Sequence, residues 1–81
     1  MRLRILAFAS ASDVLGAPEC SLELPAGARV DDLKQALLAR YPALAPLLPR
    51  LAVAVDGEIA SASGELRDGA EVALLPPVSG G

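Results

Sequence analysis

Histidine is absent from the 81 residues and cysteine occurs once, at Cys20. Tetrahedral zinc and Cys–His or Ser–His catalysis are therefore excluded within this chain, because each needs ligands or a base that it lacks. A lone thiol makes no intramolecular disulfide. In Cys20-Ser21-Leu22-Glu23-Leu24 it reads as a small buried hydrophobe, since no cation flanks it in sequence to activate it. Tryptophan is missing too, and Phe8 and Tyr41 are the only aromatics. The seven basic residues are scattered and outnumbered by ten acidic ones, for a net charge of −3. With no basic stripe and almost no aromatic surface, nucleic acid is not an expected partner. No apolar run approaches the roughly 20 residues of a membrane span. Met1-Arg2-Leu3-Arg4 opens a strand-like pattern, not a signal peptide, so the expected location is cytoplasmic and no membrane partner is expected.

What remains is an aliphatic chain, 53% hydrophobic, sized for one small domain. Residues 2–9 alternate, with Leu3 and Ile5 on one face and Arg2 and Arg4 on the other. This is a strand with one buried side. Ser10 to Pro18 reads as a loop with a possible short turn around Ser12–Leu15. Ser21 to Leu24 alternates again, so the two strands are expected to pair antiparallel. Val30, Leu33, Leu37 and Tyr41 fall within about 80° at the helical period, which predicts a helix over Val30–Tyr41. Asp31 and Asp32 suit its first turn and Arg40 its last, which accounts for the paired carboxylates without invoking acid–base work. Either Asp31 or Arg29 could occupy the N-cap. Pro42 ends the helix, and Ala43 to Pro49 is expected as an irregular crossing or a short 3₁₀ turn.

Leu51 to Val55 is short and apolar enough for a buried strand, and Asp56-Gly57 is a two-residue hairpin signal leading to Glu58-Ile59-Ala60. Leu66 anchors a polar connection over Ser61–Arg67, Asp68-Gly69 marks a turn, and Glu71 to Leu75 is the closing strand. One main helix across one face of a mixed sheet of about five strands satisfies the two-layer rule. With the first and last strands as parallel central neighbours, the α+β fold is the ubiquitin-like β-grasp. The domain covers 1–75 and an extended, flexible tail covers 76–81.

That tail is Pro76-Pro77-Val78-Ser79-Gly80-Gly81. At average glycine usage, two terminal glycines arise by chance about 0.5% of the time. They make the thinnest peptide available, suited to a channel too narrow for side chains. Pro76 and Pro77 favour a stiff extended stem, so less entropy is lost on entering a partner. The reactive group would be the α-carboxylate of Gly81. Phe8, Leu74 and Leu75 are expected to form an exposed apolar patch at the base of this arm, where partners dock.

The run Asp68-Gly69-x-Glu71-Val72-x-Leu74-Leu75-Pro76-Pro77-Val78-Ser79-Gly80-Gly81 resembles the closing signature of the small, sulfur-carrying subunit of molybdopterin synthase, a MoaD-like protein. Phe8-Ala9, Val30-x-x-Leu33 and Val53-Ala54-Val55-Asp56-Gly57 fit as well, so the resemblance spans essentially the whole chain. Two departures are Leu74-Leu75 where aromatics often stand, and Arg29 where Ser or Thr is common. The resemblance implies that an E1-like adenylyltransferase uses ATP to convert Gly81 to a glycyl adenylate. Sulfur then replaces AMP to give a thiocarboxylate, 1-thioglycine. It further implies delivery of that sulfur to cyclic pyranopterin monophosphate inside the large subunit of a heterotetrameric synthase. This chain would bind no cofactor or metal and would not catalyse on its own. The alternatives are a thiamine-pathway sulfur carrier, which is shorter and lacks the double-proline stem, and a ubiquitin-like modifier of lysines.

Overall fold

A computed structural model describes residues 1–77. β1 (Arg2–Ala7) follows the alternation of its sequence, with Leu3, Ile5 and Ala7 buried while Arg2 and Arg4 are exposed. β2 (Glu19–Glu23) returns antiparallel, Leu3 opposite Leu22 and Ile5 opposite Cys20. β5 (Glu71–Leu75) lies parallel to β1 on its other side, and β3 (Ala52–Val55) and β4 (Glu58–Ile59) complete the order β2-β1-β5-β3-β4. The parallel central pair is the arrangement the sequence predicts. The β3–β4 hairpin turns through Asp56 at φ 49° and Gly57 at φ 86°, the left-handed pair that matches the twist of adjoining strands.

The main helix, α2 (Val30–Arg40), buries Val30, Leu33 and Leu37 against Leu3, Ile5, Val53, Val72 and Leu74. No polar side chain is buried among the described residues, so the core is held by aliphatic packing. Arg29 occupies the N-cap in an extended conformation, which decides between the two starts the sequence allows. Its own side chain is no cap, because a guanidinium has no acceptor. Instead the Asp32 carboxylate accepts the Arg29 N–H at 2.8 Å. The carbonyls of Gly64 and Ala62 accept the N–H groups of Val30 and Asp31 at 3.0 and 2.9 Å. The helix is thus capped by a connection more than thirty residues downstream. Arg29 returns the contact through Ser63, whose carbonyl accepts from Nη1 at 2.7 Å.

One segment departs from expectation. Ser10–Leu15 is a short helix, α1, where a loop with a turn is predicted. It is closed by Gly16 at φ 76°, whose N–H donates to Ser12 O at 2.9 Å, and it is pinned by Ala11, which is fully buried. Six residues are too few to display a helical period. The segment after α2 forms two 3₁₀ turns, Pro42–Leu44 and Leu48–Arg50, with Leu44 in the core. No described helix is long and apolar enough to cross a membrane.

Candidate functional site

β5 is the middle strand, and its last residues are held on both sides. Ala7 of β1 pairs with Leu74, and Val53 and Ala52 of β3 pair with Leu74 and Leu75. The chain therefore leaves the sheet at Pro76, half-buried, and Pro77, exposed, from a strand that cannot swing sideways. The remaining tail residues, Val78, Ser79, Gly80 and the expected reactive Gly81, lie outside the described residues.

α2 covers one face of the sheet and leaves the other open. Side chains alternate along each strand, so the open face is read from the register. Leu6, Ala73, Ala54 and Ile59 form one continuous rung across β1, β5, β3 and β4. Ala52 and Leu75 form the next rung towards the tail, and Phe8 stands just beyond β1 at that same end. Among the described residues, Ile59 and Phe8 are the large hydrophobics left most open, 71% and 48% exposed. The result is an apolar band beside the root of the tail.

Next to the band the open face is charged and internally paired. Arg4 donates from Nη2 and Nε to Glu19 at 2.6 and 2.9 Å and lies 3.5 Å from Glu71, while Arg2 meets Glu23 at 3.1 Å. The hydrogen bond to Glu19, then Glu19's charge, hold the Arg4 guanidinium above its ordinary pKa. Exposed pairs of this kind add little stability, about 0–1 kcal/mol each. They leave the apolar band as the part of this face with most to gain from being covered.

The expected patch is only partly realised. Phe8 is exposed and Leu75 half-buried, but Leu74 is fully buried and belongs to the core. Strand parity is the cause: Val72 and Leu74 point towards α2, so Ala73 and Leu75 point away. Leu6, Ile59 and Ala73 were not anticipated as surface, although Leu6 shares its parity with Arg2 and Arg4. Cys20 is half-buried where a buried position is expected, because β2 is an edge strand and leaves one flank of the thiol open.

No group of three metal-ligating side chains is brought together among the described residues. A depression of about 400 Å³ beside the β3–β4 hairpin is lined by Asp56, Glu58, Glu65, Arg67 and Ile59, with no nucleophile and base in it. The described residues offer an exposed apolar band beside the end of a central strand, and no catalytic constellation.

Comparison with known proteins bears on that arrangement. Residues 5–81 match the ThiS family. A molybdopterin synthase sulfur carrier subunit from Chlamydomonas reinhardtii is 36% identical, covering 100% of both chains. Among solved structures, SAMP1 from Haloferax volcanii superposes with a TM-score of 0.90 at 29% identity, covering 100% of each chain. A putative molybdopterin converting factor subunit 1 from Pyrococcus furiosus gives a TM-score of 0.88 at 30% identity, over 96% of this chain and 99% of that one.

Proposed function

The chain belongs to the ThiS family, and from that premise we propose that it is the sulfur carrier subunit of a molybdopterin synthase. The observation that carries the reading is the central strand β5, which delivers the tail beside an exposed apolar band. A carrier needs both features: an arm whose direction is fixed, and a surface by which successive partners hold its root.

The chemistry belongs to the arm. The Gly81 carboxylate attacks the α-phosphorus of ATP on an adenylating partner, and pyrophosphate leaves. A persulfide sulfur displaces AMP from the acyl-adenylate, and a thiol of the sulfur-supplying protein then cleaves the acyl disulfide to free the thiocarboxylate. Docked on the large subunit, the tail transfers that sulfur to cyclic pyranopterin monophosphate on the way to the dithiolene. Two such transfers are needed per dithiolene, so spent and loaded carriers exchange on the large subunit. That exchange favours a docking surface made of apolar contacts over one made of buried charge pairs, which are slow and costly to break. The cycle runs in the cytoplasm.

Likeness to SAMP1, described as a small archaeal modifier protein, supports a second reading in which the activated Gly81 is attacked by lysine amines instead of sulfur. One reconstitution separates the two. Purified chain, adenylating enzyme, ATP, a persulfide donor, large subunit and pterin precursor should yield molybdopterin. A ladder of lysine conjugates with no molybdopterin would favour the modifier.

A further inference from the structure

We propose that Arg40 guards the open edge of β2 and keeps a second copy of this chain from adding a strand there. The proposal stands apart from the carrier reading above, and neither depends on the other.

β2 and β4 are the two edges of the sheet. β4 has only two residues and offers little to pair with, but β2 has five. The backbone groups of β2 that lie open follow from its register. On either flank of the strand the bonds run to the β1 side, from the Ala7 N–H to Pro18 O at 2.8 Å and from the Leu24 N–H to Met1 O at 3.0 Å. Arg4 stands opposite Ser21, and its N–H turns the other way, to Ala70 O at 3.0 Å. Bonding alternates along an antiparallel pair, so Glu19, Ser21 and Glu23 direct their N–H and C=O groups out of the sheet.

A second copy related by a two-fold axis through Ser21 would align all five residues antiparallel. The two Ser21 residues would then exchange both of their N–H···O bonds, and Glu19 would face Glu23 of the other copy. Repulsion between those carboxylates is a weak barrier, because each is already held within its own chain. Arg4 meets Glu19 at 2.6 Å and Arg2 meets Glu23 at 3.1 Å.

Arg40 supplies the stronger barrier. It is the last residue of α2, and its Nη1 donates to Ser21 O at 3.2 Å, which takes the central acceptor of the open edge. The guanidinium carbon lies 5.4 Å from the centroid of the Tyr41 ring, within cation–π range, so the group is held from a second side. A cation in the last turn also suits the helix dipole, but that needs only the charge and not a bond to the middle of a neighbouring strand. For two copies to pair along β2, both guanidinium groups must first leave.

The test compares the parent with Arg40→Ala at rising protein concentration up to the millimolar range. Sedimentation gives the association constant, and residue-resolved amide exchange gives the surface used. Arg40→Ala should associate at least about tenfold more tightly than the parent, since two bonds from a charged donor no longer have to be broken per dimer. Exchange at the Glu19, Ser21 and Glu23 amides should slow as the dimer forms. A residue that serves the helix alone would lower the thermal midpoint and leave association unchanged. The proposal is overturned if Arg40→Ala stays monomeric, associates no more tightly than the parent, or associates without protecting those three amides.

Discussion

Leu74 and Leu75 are adjacent and chemically identical, yet one is fully buried and the other half-buried on the opposite face of the sheet. Leu74→Ala removes a fully buried side chain and should cost about 2–5 kcal/mol in denaturant unfolding. Leu75→Asp should leave the unfolding midpoint nearly unchanged and reduce affinity for the large subunit at least about tenfold, because a charge would be desolvated in the interface. An equal loss of stability in both variants would show that the strand parity is misread. The thiol is a third residue-scale case. Cys20 is half-buried on edge strand β2, so Cys20→Ala should cost at most about 0.5–1.5 kcal/mol. Sulfur transfer should continue at the parental rate, measured by thiocarboxylate formation. Parity was available in the sequence, since the same alternation that buries Val72 buries Leu74. What the sequence did not show is that an edge strand leaves Cys20 half open, because strand order is not a local property.

The elements divide along the same line. Strands with clear alternation, the Asp56-Gly57 hairpin and the Val30–Arg40 helix were legible because period and turn chemistry are local signals. α1 was not, being six residues long and fixed by the burial of Ala11 and the Gly16 cap. Nor was the start of α2, whose orphan N–H groups bond to Gly64 and Ala62, remote in sequence. The local part of that cap is the Asp32 carboxylate on the Arg29 N–H. Asp32→Ala should cost about 0.5–2 kcal/mol by thermal unfolding, and a neutral result would assign the capping to the downstream carbonyls alone. In the hairpin, a Cβ on Gly57 would meet nothing within 4 Å, but φ is 86°. Gly57→Ala should therefore cost about 1–2 kcal/mol for backbone reasons only.

At the scale of the whole molecule, the sheet order converts a sequence pattern into a device. The parallel β1–β5 pair puts the closing strand in the middle, with α2 behind it and an apolar band in front. The fold class was legible in the sequence. The band was not, because Leu6, Ala54, Ala73 and Ile59 come together only once four strands are in register. If this body serves to present the end of its tail for sulfur loading, the intact mass of the protein reports it. The protein is incubated with the adenylating enzyme, ATP and a persulfide donor, beside a version carrying one extra residue after Gly81. That residue displaces the carboxylate by about 3.3–3.6 Å, enough to abolish a reaction that about 1 Å can slow 100-fold. A gain of about 16 Da, oxygen exchanged for sulfur, is expected on the parent alone. Parental loading of the extended protein without trimming, or no gain on either, would contradict it.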